Sequence, residues 1–378
     1  MLEAADFVKE ALKENYKFYA GVPCSFLTPF IDHVIDNKDV TYVGATNEGD
    51  AVAIAAGASI GGFRSVAMMQ NSGLGNAVSP LTSLTHTFRL PVLIICTLRG
   101  EPELNDEPQH ELMGRITSNL LDQMKIPWEF FPSDKNNING TLTRAENHFE
   151  RYSTPYALIM KKGACNSTKK NTNRTNIRTR STTTVKASKE AKLLSRFEIL
   201  KKIVVKSQNY NAVILATTGY AGRELYKVGD KNNQFYMVGS MGCISSLGLG
   251  LALARPDLRV ILIDGDGAAL MRLGNLATMG AYSPNNIFHF LLDNEVHQST
   301  GGQSTVSNSI DFAEIAAACG YKNATRLARI EEITESLFEL KEGPNFYHCK
   351  TNQWHEGSLP RPKISPADLT KRLKEHIS

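Results

Sequence analysis

The sequence predicts an α/β fold of two parallel-sheet domains, over residues 1–163 and 191–378, joined by a polar linker at 164–190. Three observations carry this expectation. Short apolar runs alternate with helix-period segments on both sides of the linker, the pattern of parallel strands covered by helices. The stretch from 164 to 188 holds almost no apolar residue, so it cannot bury enough surface to offset its ordering entropy. Its basic residues between Lys169 and Lys186 read as those of a solvated connector. At 378 residues and 42% hydrophobic, the chain has material for two buried cores.

Taken in order, the N-terminus opens as an acidic amphipathic helix without a signal-peptide core. Strands are predicted at 18–22, 41–44, 65–69, 92–96 and 156–160. Just past the second, Asn47-Glu48-Gly49-Asp50 opens a helix of small residues, Ala51 to Gly57, whose lack of bulk admits close approach of another helix or subunit. A carboxylate there, read alone, caps the helix or complements its dipole. The third strand ends in the polar loop 70–76, with Asn71, Gly73 and Gly75. Position 78 is Val, so the third glycine of a dinucleotide fingerprint is missing. Asp106 to His110 precedes a helix beginning at Glu111. His110 reads either as a surface residue or as a proton donor.

In the second half, strands are predicted at 211–215, 234–238, 260–263, 287–292 and 345–349. Thr217-Thr218-Gly219 follows the first. Val238-Gly239-Ser240-Met241-Gly242 follows the second and leads into a Gly/Ala-rich helix over 245–254. Gly265-Asp266-Gly267 closes the third strand and Asp293-Asn294 the fourth. Between them Leu270, Leu273, Leu276, Ala277 and Met279 recur at mostly three- and four-residue steps, predicting one helix over 268–282. That is a strand-helix-strand unit with parallel strands. Ligands collect outside the carboxyl ends of such strands, so Asp266 and Asn294 are expected to meet there. An Asp carboxylate, an Asn amide oxygen and a backbone carbonyl, that of Val296, form a half-filled hard-ligand set suited to Mg²⁺ once phosphates complete it. Gly265 and Gly267 leave room for a diphosphate, and the helix start at Ala268 offers N–H groups to it.

Gly-Asp-Gly, twenty-five residues and then Asp-Asn resembles the thiamine diphosphate signature. Asn47-Glu48-Gly49 with its Ala-rich helix resembles the matching segment of the partner domain, and the likeness to thiamine diphosphate-dependent decarboxylases covers nearly the whole chain. The resemblance implies a pyrimidine-binding domain first and a diphosphate-binding domain second, without the middle domain most such decarboxylases carry. It implies thiamine diphosphate and Mg²⁺ as cofactors, and Glu48 as the carboxylate acting on N1′ of the aminopyrimidine. Met241, flanked by Ser240 and Gly242, would support the bent cofactor. Thr218, Gly219, Gly265, Asp266, Gly267, Ala268, Asn294, Asn71 and Gly73 would line it, with Asp266, Asn294 and Val296 as metal ligands and His110 or His297 giving protons.

Gly21-Val-Pro-Cys-Ser25, Asp106-Glu-Pro-Gln-His110 and Ser299-Thr-Gly-Gly-Gln303 look like the short branch that acts on phosphonopyruvate, with the sulfopyruvate branch as its nearest relative. Membership implies non-oxidative decarboxylation of 3-phosphonopyruvate to phosphonoacetaldehyde and CO₂, early in 2-aminoethylphosphonate synthesis. Ser25, Gln109 and Arg99, with His86, Arg89 and Arg115, are the candidates for the substrate's anionic group. The resemblance also implies a homodimer or larger assembly with active sites between subunits.

A formal net charge of +4 gives no warrant for a nucleic-acid surface. Six cysteines without a CxxC or metal spacing read as reduced thiols of a cytoplasmic protein, and no apolar run approaches membrane-spanning length. Three alternatives differ in chemistry. An acetolactate-type carboligase shares the cofactor apparatus but usually carries a middle domain. A two-domain 2-oxo acid oxidoreductase finds no supporting Cys cluster. A nucleotide-binding module would want Gly-Lys-Ser/Thr after a Gly-rich loop, which is absent.

Overall fold

A computed structural model describes residues 2–166, 184–187, 193–355 and 357–378. The chain divides into two compact units whose boundary falls outside the described residues.

The first unit is built on strands β1 (Tyr16–Gly21), β2 (Thr41–Gly44), β3 (Arg64–Gln70), β4 (Leu93–Thr97), β5 (Trp128–Phe130) and β6 (Tyr156–Met160). They form one parallel sheet in the order β2-β1-β3-β4-β6-β5. Strands β4 and β6 are buried at every position, so they read as unbroken apolar runs. The amphipathic first helix, Ala4–Lys13, buries Phe7 against Phe30 and Phe131, with ring centroids 5.6 and 4.7 Å away. Because β1 neighbours both β2 and β3, the strand order reverses between β1 and β3. That is the crevice where an open sheet accepts ligands.

The second unit adds β7 (Lys186–Ala187), β8 (Ala212–Ala216), β9 (Gln234–Tyr236), β10 (Arg259–Gly265), β11 (Ile287–Asp293), a small hairpin of β12 (Val296–His297) and β13 (Gln303–Ser304), β14 (Asn323–Leu327) and β15 (Asn345–Lys350). Its seven-stranded parallel sheet runs β7-β14-β15-β11-β10-β8-β9. Here the order reverses between β8 and β10, which places Thr217 and Gly265 at the mouth of the crevice.

Four expectations need correction. The run 268–282 is two helices, Asp266–Met271 and Gly274–Tyr282, because its ends answer to different neighbours. Gly242 abuts Ala268 O and the Arg272 side chain at the first, while buried Asn275 donates to Ser245 Oγ at 2.9 Å and anchors the second. Most of the predicted linker lies outside the described residues, but Lys186–Ala187 within it pairs with β14 as an edge strand. Strands β5 and β14 were not predicted. Each is an edge or near-edge segment with half-exposed positions and hence a weak apolar signal. Finally, the small-residue helix Glu48–Ile60 is buried almost throughout its own unit, so of the two uses expected for its lack of bulk it serves close packing within the unit and not a free subunit face.

Candidate active site

In the first unit the carboxyl ends of β1, β3 and β4 gather a polar cluster. Asn47 caps the helix Glu48–Ile60 by accepting from Gly49 N at 2.8 Å, which sets half-buried Glu48 at the helix start. Asn76 Nδ2 donates to Glu48 Oε2 at 2.8 Å. A Cβ on Gly73 would overlap the Glu48 carboxyl, so only glycine lets the loop after β3 lie against it.

Asn71 has a different duty from the cofactor contact expected of it. Fully buried, it donates to Arg99 O (2.8 Å) and Thr117 Oγ1 (3.0 Å) and accepts from Arg99 N (3.2 Å). Its amide is consumed in holding the loop after β4. That loop carries Arg99, which forks onto Asp106, donates to Ser25 Oγ at 3.0 Å and lies over the Phe26 ring at 4.6 Å. The Arg99 guanidinium, helped by the N–H groups of Gly100 and Glu107, holds the Asp106 carboxyl well below the usual carboxylate range. Cys24 Sγ meets Gln70 Oε1 at 3.2 Å across the crevice.

Of the other candidates, His110 is buried, and its Nδ1 has no hydrogen-bond partner among the described residues. Gln109, Arg89 and Arg115 are exposed, and Arg115 is paired with Glu111 at 2.7 Å. His86 is half-buried, and burial, with Arg89 and Lys125 nearby, lowers its pKa.

In the second unit a cleft of about 80 Å³ opens at the strand-order reversal. Thr217, Thr218 and Gly219 after β8, Met241 after β9, Gly265 to Ala268 after β10, and Asn294, Val296 and His297 after β11 all line it. Of the predicted cofactor residues in this unit, Ser240 and Gly242 stand outside that lining as buried parts of the turn carrying Met241. A Cβ on Gly267 would overlap the His297 ring and crowd Met241 Cε at 3.3 Å, so this glycine makes room for both side chains.

Asp266 is 3% exposed and accepts from Thr305 Oγ1 at 2.5 Å. Burial raises its pKa, opposed by the Thr305 hydrogen bond and reinforced by the Asp293 charge. Asn294 Oδ1 accepts from Val296 N at 3.2 Å and its Nδ2 donates to Gln298 at 3.2 Å. Asp293 lies behind both. Although burial works against its charge, hydrogen bonds from His348, Lys350 and Ser307 hold it at about 2. The Ser307 and Thr305 hydroxyls, 3.1 Å apart, thus link Asp293 to Asp266.

The donor set suits the expected groups. Thr217 Oγ1, on the cleft wall, is buried with no hydrogen-bond partner among the described residues. The helix Tyr220–Val228 starts there without a side-chain cap, leaving its first N–H groups for an anion. Among the described residues no group of three or more His, Cys, Asp or Glu side chains could hold a metal. A cation here would therefore draw on amide, carbonyl and external oxygens beside Asp266, as Mg²⁺ does when it binds with phosphates.

Residues 217–349 match the family described as thiamine pyrophosphate enzyme, C-terminal TPP binding domain, and residues 2–126 match the N-terminal TPP binding domain. The chain is 38% identical to a phosphonopyruvate decarboxylase of Streptomyces viridochromogenes, over 100% of this chain and 96% of that protein. The chain belongs to the thiamine pyrophosphate enzyme family. A sulfopyruvate decarboxylase of Methanosarcina acetivorans is 28% identical over 95% of this chain and 93% of its own. The solved benzoylformate decarboxylase of Polynucleobacter necessarius shares the fold, with a TM-score of 0.73 at 12% identity, covering 93% of this chain and 99% of that one. Thiamine diphosphate is thus the cofactor of the family, and the two sheets found here are its two binding domains.

Sequence reasoning missed Thr305, Ser307 and Asn76. Hydroxyls and amides are too common for their types to signal a site, and only the fold brings them to Asp266 and Glu48.

Proposed function

We propose that the protein decarboxylates 3-phosphonopyruvate to phosphonoacetaldehyde and CO₂. The observation that carries this reading is the 38% identity to a phosphonopyruvate decarboxylase, running the length of both chains. Bound thiamine diphosphate supplies the electron sink for the carbanion left when CO₂ departs. Asp266, Asn294 and the Val296 carbonyl would hold its diphosphate through Mg²⁺, with Thr305 fixing one oxygen of Asp266. Glu48 would hydrogen-bond N1′, Met241 would support the bent cofactor, and His297 or His110 would deliver the proton to the product. Ser25 and Arg99, the latter steadied by Asp106, are our choice for the substrate's anionic end. We place the pyrimidine-binding domain at 1–163 and the diphosphate-binding domain at 191–378.

The second reading is a sulfopyruvate decarboxylase, favoured by the 28% identity over 95% of the chain. Release of CO₂ from phosphonopyruvate, sulfopyruvate, pyruvate and oxaloacetate separates the two. Phosphonopyruvate is expected to exceed pyruvate by about 10³-fold or more in kcat/KM, because a site built around an anion rejects an analogue that leaves its polar groups unpaired. Sulfopyruvate as the best substrate would reverse the assignment.

The working form in this proposal is a cytoplasmic homodimer or larger assembly with active sites between subunits. Exposed Val238, Val306 and Trp354 on loops and Met271 at a helix end of the second unit, and Leu104 and Leu112 in the first, support an association surface. No helix of the described residues is long and apolar enough to cross a membrane, and all six cysteines are free. Equal mixtures of inactive Glu48→Gln and Asp266→Ala subunits are expected to regain roughly a quarter of the activity, since half of the sites in each hybrid dimer receive both intact residues. Mixtures that stay inactive despite proven exchange would exclude shared sites.

A further inference from the structure

We propose that Arg196 is a diphosphate-binding residue that donates from Nη1 into the second unit's cleft. The assignment rests on the cofactor reading above. Arg196 begins the helix Arg196–Ser207, and its side chain is 6% exposed. Two of its three guanidinium nitrogens are committed: Nε and Nη2 fork onto Glu224, itself 1% exposed, at 2.6 and 2.9 Å. Among the described residues the third nitrogen, Nη1, donates to none, and Arg196 lines the cleft beside Thr217, Thr218 and Gly219.

Burying an ion pair gives little net stability, and apolar residues of similar volume would stabilise the fold as well. A guanidinium does something those cannot. Its fork can be fixed on Glu224 while its outer edge presents N–H donors to a phosphate. The cleft needs that charge. A diphosphate beside Asp266 carries more negative charge than one Mg²⁺ ion neutralises, and Arg196 is the only lysine or arginine among the described residues lining it. The buried, unpartnered Thr217 hydroxyl and the uncapped N-terminus of helix Tyr220–Val228 are donors on the same wall. Glu224 is then a positioning residue, fixing the guanidinium so that only Nη1 is free to turn toward a ligand.

Arg196→Met alone would leave the Glu224 carboxylate buried without a partner, so the test pairs it with Glu224→Gln. Arg196→Lys is a second variant that keeps the charge against Glu224 but lacks the fork. Calorimetry would measure the affinity of each full-length protein, with Mg²⁺, for thiamine diphosphate, inorganic pyrophosphate and thiamine, and melting curves would check the fold. Both variants are expected to lose about 10- to 100-fold in affinity for the two phosphorylated probes, with thiamine unchanged. Folded variants that bind pyrophosphate within about twofold of wild type would overturn the role and leave Arg196 a structural partner of Glu224. Wild-type protein that binds neither phosphorylated probe would instead sink the cofactor reading itself.

Discussion

Asp266→Ala is expected to abolish Mg²⁺-dependent thiamine diphosphate binding, lowering apparent affinity by about 10²-fold or more, since changes one shell further from a metal already cost 10- to 100-fold. The carboxylate is almost fully buried, and both burial and the neighbouring Asp293 charge oppose its ionisation. Holding such a group without a cation is unfavourable, so removing it should leave the cofactor-free protein melting no lower than wild type. That combination distinguishes a ligand from a structural residue, whose loss would lower both. Cofactor titration by fluorescence quenching and a melting curve suffice, and full occupancy in the variant would end the assignment.

Glu48→Gln is expected to keep cofactor affinity while kcat falls by about 10²- to 10⁴-fold, the range carried by a positioned acid–base group. The substitution is nearly isosteric. The Asn76 amide can still donate to the side-chain oxygen, and the Gly73 loop keeps its place against it. What changes is the capacity to exchange a proton with the pyrimidine ring. Exchange of the cofactor's C2 proton, followed by quenched proton NMR, should slow in parallel with kcat. Wild-type exchange in the variant would reduce Glu48 to the start of a capped helix.

The inner strands of both sheets were legible because burial on both faces writes itself as an apolar run. β6 and β11 show this, being buried at every position. Strand β14, with half-exposed Asn323, Thr325 and Arg326, left no such trace. The Gly-Asp-Gly and Asp-Asn ends were legible because spacing alone placed them at neighbouring strands, as the β10 and β11 register has them. The relay from Asp293 through Ser307 and Thr305 was not, because those hydroxyls reach Asp266 from a loop closed by a hairpin. The break between helices at Arg272 and Leu273 was hidden for a related reason: periodicity reports which face is apolar, not which neighbour pins each end.

The buried amide of Asn71 has a thermodynamic consequence. It joins the turn after β3, where Gly73 and then Asn76 on the helix Leu74–Pro80 lie against Glu48, to the loop after β4, which carries Arg99 and Asp106. Thr117 on the helix Glu111–Gln123 completes the tie. Neither loop can reorder without breaking hydrogen bonds that water cannot replace at a fully buried site. The two segments are therefore tied into one edge. Little conformational entropy remains to be lost when a ligand arrives, so more of the contact energy is retained as affinity and less goes to ordering the walls.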